Sequence, residues 1–413
     1  MNPPGSQPQP ASNLAALGWV RPLIATLALQ TTGSYLCWIV PSIAPALATD
    51  FDIRKTAIGH FGAVTTAGAM IFLFIGSPLI KRYGPILVLQ LGLVIGVLSL
   101  LTMLAPHWVF VALASLVIGL GYGPSAQAAN EVLQHTAPPQ HRSLIFSIKQ
   151  AGVPLGGVIA GLALPPLVDA FGWQSTLLFS LFLVAATIAA VEPLRARIDS
   201  FRNPDYPADL RTLLSVKNIV SPVIALRANP AARRLALTGA LLAFVPAVWM
   251  TFIVTYAVTE LRMSLAHGGF LLAVSWTTGI LGRLVLGYLS DRLGSGILAL
   301  GLITVTSVAG TLLLGLTNTG WPFWSVLVLV IFAGLVITGW NGIVLSEIAR
   351  HAPPERATET FAGANLLIFF GYFIAPPLFA VLVDFSGYRF SFLLLAACAL
   401  AAGWPLLQMW RDR

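Results

Sequence analysis

The sequence predicts an all-α membrane protein with twelve transmembrane helices in two pseudo-symmetric six-helix bundles. Hydrophobic residues make up 57% of the 413 positions and charged residues only 9%, whereas soluble proteins carry about 25% charged residues. Apolar runs of about 20 residues, the length that crosses the hydrocarbon core of a bilayer, recur from Val20 to Arg411. Motifs of the first half also return in the second half.

Breaker residues divide the apolar runs into twelve predicted helices. Their ranges are 20–47, 57–79, 86–105, 108–133, 143–168, 174–192, 234–258, 266–289, 296–317, 322–347, 358–383 and 388–410. The sequence lacks alternating strand patterns, so we expect no porin-type barrel. Residues 1–19 are rich in Pro, Gln and Ser and lack the basic start of a signal peptide. They are predicted to be a disordered cytoplasmic tail.

The distribution of basic residues predicts the orientation in the membrane, because Lys and Arg in short loops stay cytoplasmic. With both termini inside, 17 of the 23 Lys and Arg residues fall on the cytoplasmic face and four on the outer face. The other two, Lys149 and Arg283, lie within apolar runs. We therefore expect a multi-pass protein of the cytoplasmic (inner) membrane. The formal charge of +8 belongs to loops beside the bilayer and does not indicate nucleic-acid binding.

The longest hydrophilic stretch, residues 193–233, divides the chain into residues 20–192 and 234–413. Each of these two segments contains six predicted helices, so the stretch is interpreted as a cytoplasmic linker between two bundles. A short amphipathic helix on the membrane surface and a basic loop attracted to anionic lipid are both open for the linker.

The two halves repeat each other most clearly at the segments His135-Thr-Ala-Pro-Pro-Gln-His-Arg142 and His351-Ala-Pro-Pro-Glu-Arg356. Glu131 precedes the first segment by four residues, as Glu347 precedes the second. The offset stays near 215 residues. Such a register indicates a parallel duplication of a six-helix unit.

The loop between predicted helices 8 and 9 reads Gly287-Tyr-Leu-Ser-Asp291-Arg292-Leu-Gly294. It resembles the G-x-L-x-D-R-x-G signature of the major facilitator superfamily, the transporters with two six-helix halves. The equivalent loop between helices 2 and 3 keeps Arg82 and Gly84, but Lys81 replaces the Asp. Together with the central linker and the duplication, these motifs identify the chain as resembling that superfamily over nearly its whole length.

The resemblance implies a gate at the cytoplasmic end. In the family the signature's Asp lies near the positive N-terminus of a neighbouring helix and its Arg contacts the partner half, which holds this end shut in one state. Asp291 and Arg292 inherit that role by resemblance. The other residues predicted to take part in gating are Lys81, Arg82, Glu131, Arg142, Glu347 and Arg356. The alternative is that these charges only solvate tight turns and fix the topology.

Two cations interrupt the apolar helices, although a charge at a helix centre costs about 2.5 to 3.5 kcal/mol. Lys149 follows Arg142 by seven residues and Arg283 precedes Asp291 by eight. Each therefore lies about 10 to 12 Å from the cytoplasmic end of its helix. Neither has a charged counterpart in the other half, so both are interpreted as functional residues and not as part of the duplicated scaffold.

In the superfamily helices 5 and 8 meet across the boundary between halves, which would bring both cations to the central cavity. We predict that Arg283 and Lys149 bind the negative group of a small organic or inorganic anion, because a guanidinium pairs with a carboxylate in two parallel hydrogen bonds. Helix 8 also resembles that of monocarboxylate, oxalate/formate and cyanate permease-like members. Tyr35, Trp340 and Asn341 are predicted to complete the pocket. Alternatively, both cations snorkel or bond backbone carbonyls.

The function predicted from these features is secondary active transport of a small solute, with an anion as the favoured cargo. The sequence has no phosphate-binding Gly-Lys-Ser/Thr loop, no nucleophile constellation and no zinc-like spacing, so we predict neither an enzyme nor a cofactor or metal site. Coupling to a proton and exchange against a counter-anion are both open. Drug efflux and a membrane sensor are the alternative functions. Two halves in one chain predict a functional monomer.

Overall fold

A computed structural model describes residues 18–105, 107–138, 142–213, 215–353 and 356–412. Residues 1–17 of the predicted tail lie outside this part of the chain. The first half contains α1 (Val20–Asp50), α2 (Ile58–Tyr83), α3 (Pro85–Ser99), α4a (Trp108–Tyr122), α4b (Pro124–Thr136), α5a (Arg142–Gln150), α5b (Gly152–Phe171) and α6 (Ser175–Ile198). The second half begins with α7 (Pro230–Thr259), α8 (Leu265–Leu293), α9 (Gly296–Leu316), α10a (Phe323–Ile337) and α10b (Trp340–His351).

The last helical stretch, Ala357–Ala401, is two helices, because Gly387 adopts a left-handed φ of 74° within it. We call residues 357–386 α11 and residues 388–401 α12, which Gly403–Arg411 extends. Eleven helices of the described chain are long and apolar enough to cross a membrane, and the one that spans Glu359–Arg411 includes both α11 and α12. The predicted twelve-helix fold is thereby confirmed, and α1 to α12 correspond to predicted helices 1 to 12.

Several spanning helices extend beyond the predicted apolar runs. α1 continues to Asp50, α7 begins at Pro230 and α8 continues to Leu293. Polar caps define such ends: the Asn229 side chain accepts a hydrogen bond from the amide of Ala232, and Gly294 ends α8 with a φ of 62°. The charged residues near these ends therefore lie on helices that extend past the apolar run and not in loops.

Predicted helices 4 and 10 are each broken at the same place in the repeat. Gly123 separates α4a from α4b, and Pro124 cannot donate the backbone hydrogen bond that would continue the helix. Thr338 and Gly339 separate α10a from α10b. Gly339 follows Gly123 by 216 residues, which matches the offset of the repeat. A Cβ on Gly339 would lie 2.3 Å from the Leu286 side chain, so α8 packs against this break.

The linker contains a helix, Val216–Ala228, which we call the linker helix. It packs on the start of α11: the Ser221 hydroxyl donates a 2.6 Å hydrogen bond to Glu359, and a Cβ on Gly363 would lie 2.3 Å from the carbonyl oxygen of Pro222. The Leu and Val spacing in the linker that suits an amphipathic helix lies in residues 203–216, up to the start of the linker helix. Of the described residues in this segment, Leu210–Leu213 is helical and Val216 begins the linker helix.

Two seams join the halves. In seam A, α2 packs on α11, and a Cβ on Gly59 would lie 2.5 Å from the carbonyl oxygen of Pro376. In seam B, α5b packs on α8, and a Cβ on Gly269 would lie 2.3 Å from both the carbonyl oxygen of Gly161 and the ring of Pro165. The glycines are 210 residues apart and the prolines 211, so the duplication builds both seams.

Candidate functional site

Arg283 lies where α8 leaves the packed interior. Ten residues between Gly268 and Gly282 are buried, whereas none between Leu284 and Leu293 is buried. The Nε atom of Arg283 is buried without a hydrogen-bond partner, and no ion pair joins this guanidinium to a carboxylate among the described residues. A buried charge of this kind is costly unless a counter-charge or hydrogen-bond acceptors stabilise it. A guanidinium in this setting is able to bind an anion.

Two tyrosines from other helices lie near this guanidinium, and a glutamine lies beside one of them. Tyr122 of α4a and Tyr372 of α11 lie within electrostatic range of Arg283, and Gln30 of α1 lies beside Tyr122. The Oε1 atom of Gln30 is buried and unpartnered. Helices α1 and α4a belong to the first half and α8 and α11 to the second. The set therefore lies between the two halves.

The depth of these residues follows from their positions along the helices. We call the end of the bundle that carries Arg21, Lys81 and Arg411 the basic end, and the other end the opposite end. Gln30 and Arg283 are each ten residues from the basic-end terminus of their helix, which is about 15 Å at the α-helical rise. By the same rise, Tyr122 and Tyr372 are roughly 21 to 23 Å from that end. The site is therefore central.

An aromatic pair lies next to this site toward the opposite end. Trp276 precedes Arg283 by seven residues, which is two turns on the same face of α8. Its ring meets that of Trp38 from α1 edge to face, with 4.9 Å between the ring centroids. A Cβ on Gly157 of α5b would lie 2.2 Å from the Trp276 indole nitrogen. The pair thus packs against seam B and covers the site on this side.

Lys149 occupies a separate position at the end of α5a. Its side chain has no exposed area, and its Nζ atom donates hydrogen bonds to Asn130 Oδ1 at 3.3 Å and to Gln150 Oε1 at 3.0 Å. The electrostatic partners of Arg283 are Tyr372 and Tyr122, and Lys149 is not one of them. The structure therefore does not join the two cations into one binding group.

The other predicted pocket residues are distributed over both halves. The Tyr35 hydroxyl shares a 2.7 Å hydrogen bond with Ser180 of α6, so this ring packs inside the first half. Trp340 is 1% exposed within the core of the second half, and its indole nitrogen has no partner. The Asn341 Oδ1 atom is also buried and unpartnered. These positions favour a packing role for Tyr35, whereas Trp340 and Asn341 keep polar atoms available at the break in helix 10.

The gating residues of the second half make contacts within that half. The Arg292 Nε atom donates a 2.7 Å hydrogen bond to the Tyr288 hydroxyl of the same helix. Asp291 is exposed, and its carboxylate forms none of the ion pairs found among the described residues. The buried Glu347 carboxylate pairs with Arg350 at 3.0 Å and lies against Gly296, the first residue of α9. Arg356 is exposed at the start of α11.

Two gating residues of the first half, Lys81 and Arg82, contact the linker. Lys81 lies 4.9 Å from the ring centroid of Tyr206, and Arg82 donates a 3.4 Å hydrogen bond to the carbonyl oxygen of the same residue. Glu131 lies within electrostatic range of Lys81 and His135. The side chain of Arg142 is outside what the structure describes. None of these described contacts joins the two halves, and the gating role stays a prediction.

A carboxylate from another part of the chain lies near the loop in which Lys81 stands instead of the signature's Asp. The sequence did not predict it. Asp199, which follows α6, accepts hydrogen bonds from the amides of Ile86 at 2.9 Å and Leu87 at 3.0 Å. These amides begin α3, where the helix dipole favours a negative charge. A Cβ on Gly84 would lie 2.5 Å from the Asp199 side chain, and the φ of 95° at this position is one that glycine adopts readily. Both observations require glycine at position 84.

Tyr122, Tyr372 and Trp276 were also missed as site residues. Trp276 had a usable signal, because its spacing of seven residues from Arg283 places both on one helical face. Tyr122 stands in Gly-Tyr-Gly-Pro at the break of helix 4, and a break in a transporter helix often lies beside a cargo site. Tyr372 had no distinguishing pattern, since a lone tyrosine in an apolar helix is common.

The arrangement of two bundles around a central site agrees with the comparisons to known proteins. Residues 23–362 match the family model of the Major Facilitator Superfamily. The chain belongs to this superfamily. It is 24% identical to the hexuronate transporter of Bacillus subtilis, over 79% of this chain and 76% of that protein. It is 25% identical to the gentisate transporter of Corynebacterium glutamicum, over 88% and 82% of the two chains.

The fold is also similar to that of a solved structure. A POT family transporter in complex with 5-aminolevulinic acid matches with a TM-score of 0.76 and 14% identity, over 94% of this chain and 95% of that one. The predicted superfamily is confirmed. The protein is a multi-pass membrane transporter and not an enzyme.

Proposed function

We propose that this protein is a secondary transporter of a small organic anion and that Arg283 binds the carboxylate of the cargo. The observation that carries the proposal is the Arg283 guanidinium between the halves, whose Nε atom is buried without a partner and which forms no ion pair among the described residues. An anion would supply the counter-charge that the described protein groups do not. The similarity to hexuronate and gentisate transporters supports this cargo class, since both names denote organic acids.

The surroundings of Arg283 fit a cargo with polar groups beyond its carboxylate. Tyr122 and Tyr372 can donate or accept through their hydroxyls, and Gln30 keeps an unpartnered amide oxygen that accepts a hydrogen bond. The Trp38 and Trp276 rings offer an apolar surface toward the opposite end. A hydroxylated or aromatic carboxylate satisfies all of these groups.

The arrangement in the membrane belongs to the same proposal. The basic end faces the cytoplasm, by the excess of Lys and Arg there, and the protein lies in the cytoplasmic membrane. Residues 20–192 and 234–413 move as the two bundles and residues 193–233 connect them. One chain holds the complete site, so the monomer is the functional unit. The uncovered part of α8 beyond Arg283 leads from the site to the basic end.

Uptake into proteoliposomes tests the proposal. We expect wild-type protein to exchange at least one of gentisate, glucuronate and benzoate, and Arg283→Ala to weaken it by about 10- to 150-fold, because hydrogen bonds to a charged group contribute roughly 1.5 to 3 kcal/mol. Arg283→Lys should recover part of the affinity, since it keeps the charge but loses the planar fork. Arg389→Ala, at an exposed cation of the opposite end, is the matched control.

Two results would contradict the proposal. Exchange in Arg283→Ala that equals wild-type exchange would remove Arg283 from the cargo site. Transport of cationic dyes alone, without any of the three anions, would favour drug efflux instead. Thermal unfolding of each variant shows whether a loss of transport reflects a loss of folding.

A further inference from the structure

Lys149 is a buried amine that the anion site does not use. Its side chain is 0% exposed, and two neutral amide oxygens, those of Asn130 and Gln150, accept its hydrogen bonds. No ion pair joins Lys149 to a carboxylate in the described part of the chain. Two neutral acceptors and no counter-charge make an unusual environment for a lysine, which in most proteins is exposed or paired.

The number of acceptors distinguishes the two protonation states. An ammonium group has three N–H donors, whereas a neutral amine has two N–H donors and one lone pair. The oxygens of Asn130 and Gln150 satisfy both donors of the neutral amine. Among the described residues the ammonium finds no third acceptor and no counter-charge, and an unsatisfied donor and a buried charge are both costly. The pocket therefore fits the neutral amine, and a negative charge that enters the neighbouring cargo site favours the ammonium electrostatically.

Charged groups on the packed helices do not supply that negative charge. The helices in contact with α5a are α1, α4b and α5b. On α4b, Glu131 lies within electrostatic range of His135 and Lys81, and Lys149 is not one of its partners. Arg21 of α1 is exposed and carries the wrong sign, and Asp169 is near the far end of α5b.

The position of Lys149 connects it to the cargo site through α1. A Cβ on Gly152, three residues after Lys149, would lie 3.2 Å from the carbonyl oxygen of Leu27 and from the Thr31 hydroxyl. Gln30, in the same turn of α1, lies beside Tyr122 of the anion site. The step from α5a to α5b at Ala151 therefore packs against the part of α1 that also reaches the cargo.

We propose that Lys149 is the proton-binding site that couples anion transport to the proton gradient. The Nζ lone pair binds one proton from water when the anion enters, which converts the amine to an ammonium, and the ammonium returns that proton to water when the anion leaves. No other bond forms or breaks. One proton accompanies one negative charge, so transport of a monoanion is electroneutral. This inference rests on the proposed function and identifies its coupling ion.

The test separates coupling from exchange in proteoliposomes. With the anion that wild type exchanges, an inward proton gradient of about one pH unit should accumulate a monoanion about tenfold, because a tenfold gradient corresponds to roughly 1.4 kcal/mol. A pH-sensitive dye inside the vesicles should report proton entry with the anion. In Lys149→Gln we expect anion exchange within about twofold of wild type but no gradient-driven accumulation and no proton entry, since no titratable amine remains.

Asn130→Asp is the second variant. A carboxylate beside the amine favours the ammonium, so the proton should stay bound, and coupling should again be lost while exchange continues. Lys55→Gln, at an exposed lysine of the opposite end, should leave accumulation unchanged. Gradient-driven accumulation in Lys149→Gln, or wild-type exchange that no proton gradient drives, would overturn the inference alone. If wild type exchanges none of the anions, the proposed function fails first and the inference fails with it.

Discussion

Seam A and seam B share a duplicated glycine and proline, but they differ in the charges that lie beside them. In seam A the Arg54 guanidinium pairs with the Asp384 carboxylate at 2.6 Å, and the Thr56 hydroxyl donates to the same carboxylate at 2.7 Å. In seam B the counterpart of Arg54 is Ser264, 210 residues later, which caps α8 by accepting from the His267 amide. Of these two equivalent positions, only the one in seam A forms a polar contact between the halves.

The two cations within the apolar runs lie beside seam B and not beside seam A. Lys149 comes just before α5b along the chain, and Arg283 follows the part of α8 that packs on α5b. The Trp276 ring of α8 packs against α5b. The corresponding helices of seam A, α2 and α11, carry no such pair within the apolar stretch. We interpret seam A as the contact that closes the opposite end and seam B as the contact whose packing responds to the cargo.

The largest effect should come from the shared glycines. Gly59→Ala and Gly269→Ala each place a Cβ 2.3 to 2.5 Å from a backbone oxygen, so the helices must separate. Overpacking of this kind costs about 1 to 3 kcal/mol, and we expect transport to fall by roughly 5- to 150-fold in both variants. Uptake into proteoliposomes measures it. Gly301→Ala, where no atom lies within 4 Å of the added Cβ, is the control. An unaffected Gly269→Ala would show that only seam A needs close contact.

The sequence was sufficient for the scaffold but not for the site. The apolar runs predict the twelve helices, because the length of such a run can be read from the sequence. The repeat at residues 131–142 and 347–356 predicts the duplicated superfamily fold for the same reason. The burial cost of a charge also singles out Lys149 and Arg283. Their separation into two sites could not be predicted, since it depends on helix rotation and on which neighbours each side chain meets.

A smaller loss of transport should distinguish seam B from seam A at a single residue. Gly157→Ala places a Cβ 2.2 Å from the Trp276 indole nitrogen, and the counterpart position in seam A, 211 residues later, is Ile368. The ring can shift, so we expect a loss of transport of about five- to thirtyfold, in the lower part of the overpacking range. Adding Trp276→Leu should recover most of that loss, because contacting residues show non-additive effects. Additive losses in the double variant would mean that the indole does not limit seam B.

The smallest effect should come from the charged contact of seam A. Arg54 is 80% exposed and Asp384 26% exposed, and exposed ion pairs contribute only about 0.2 to 1 kcal/mol. Asp384→Asn should therefore shift the equilibrium away from the state closed at the opposite end by at most about fivefold, and high salt should reduce the difference because it screens the wild-type pair. Distances between spin labels on the two halves at the opposite end measure the populations.

Asp169→Asn is the matched variant, since Asp169 is the counterpart of Asp384 in the repeat and takes part in none of the ion pairs of the described chain. We expect it to leave the populations unchanged. Equal shifts in the two variants would contradict the assignment of the closing charge to seam A. A shift only in Asp384→Asn is the expected result, because the ion pair then adds its small bias to seam A alone and seam B stays free to respond to the cargo.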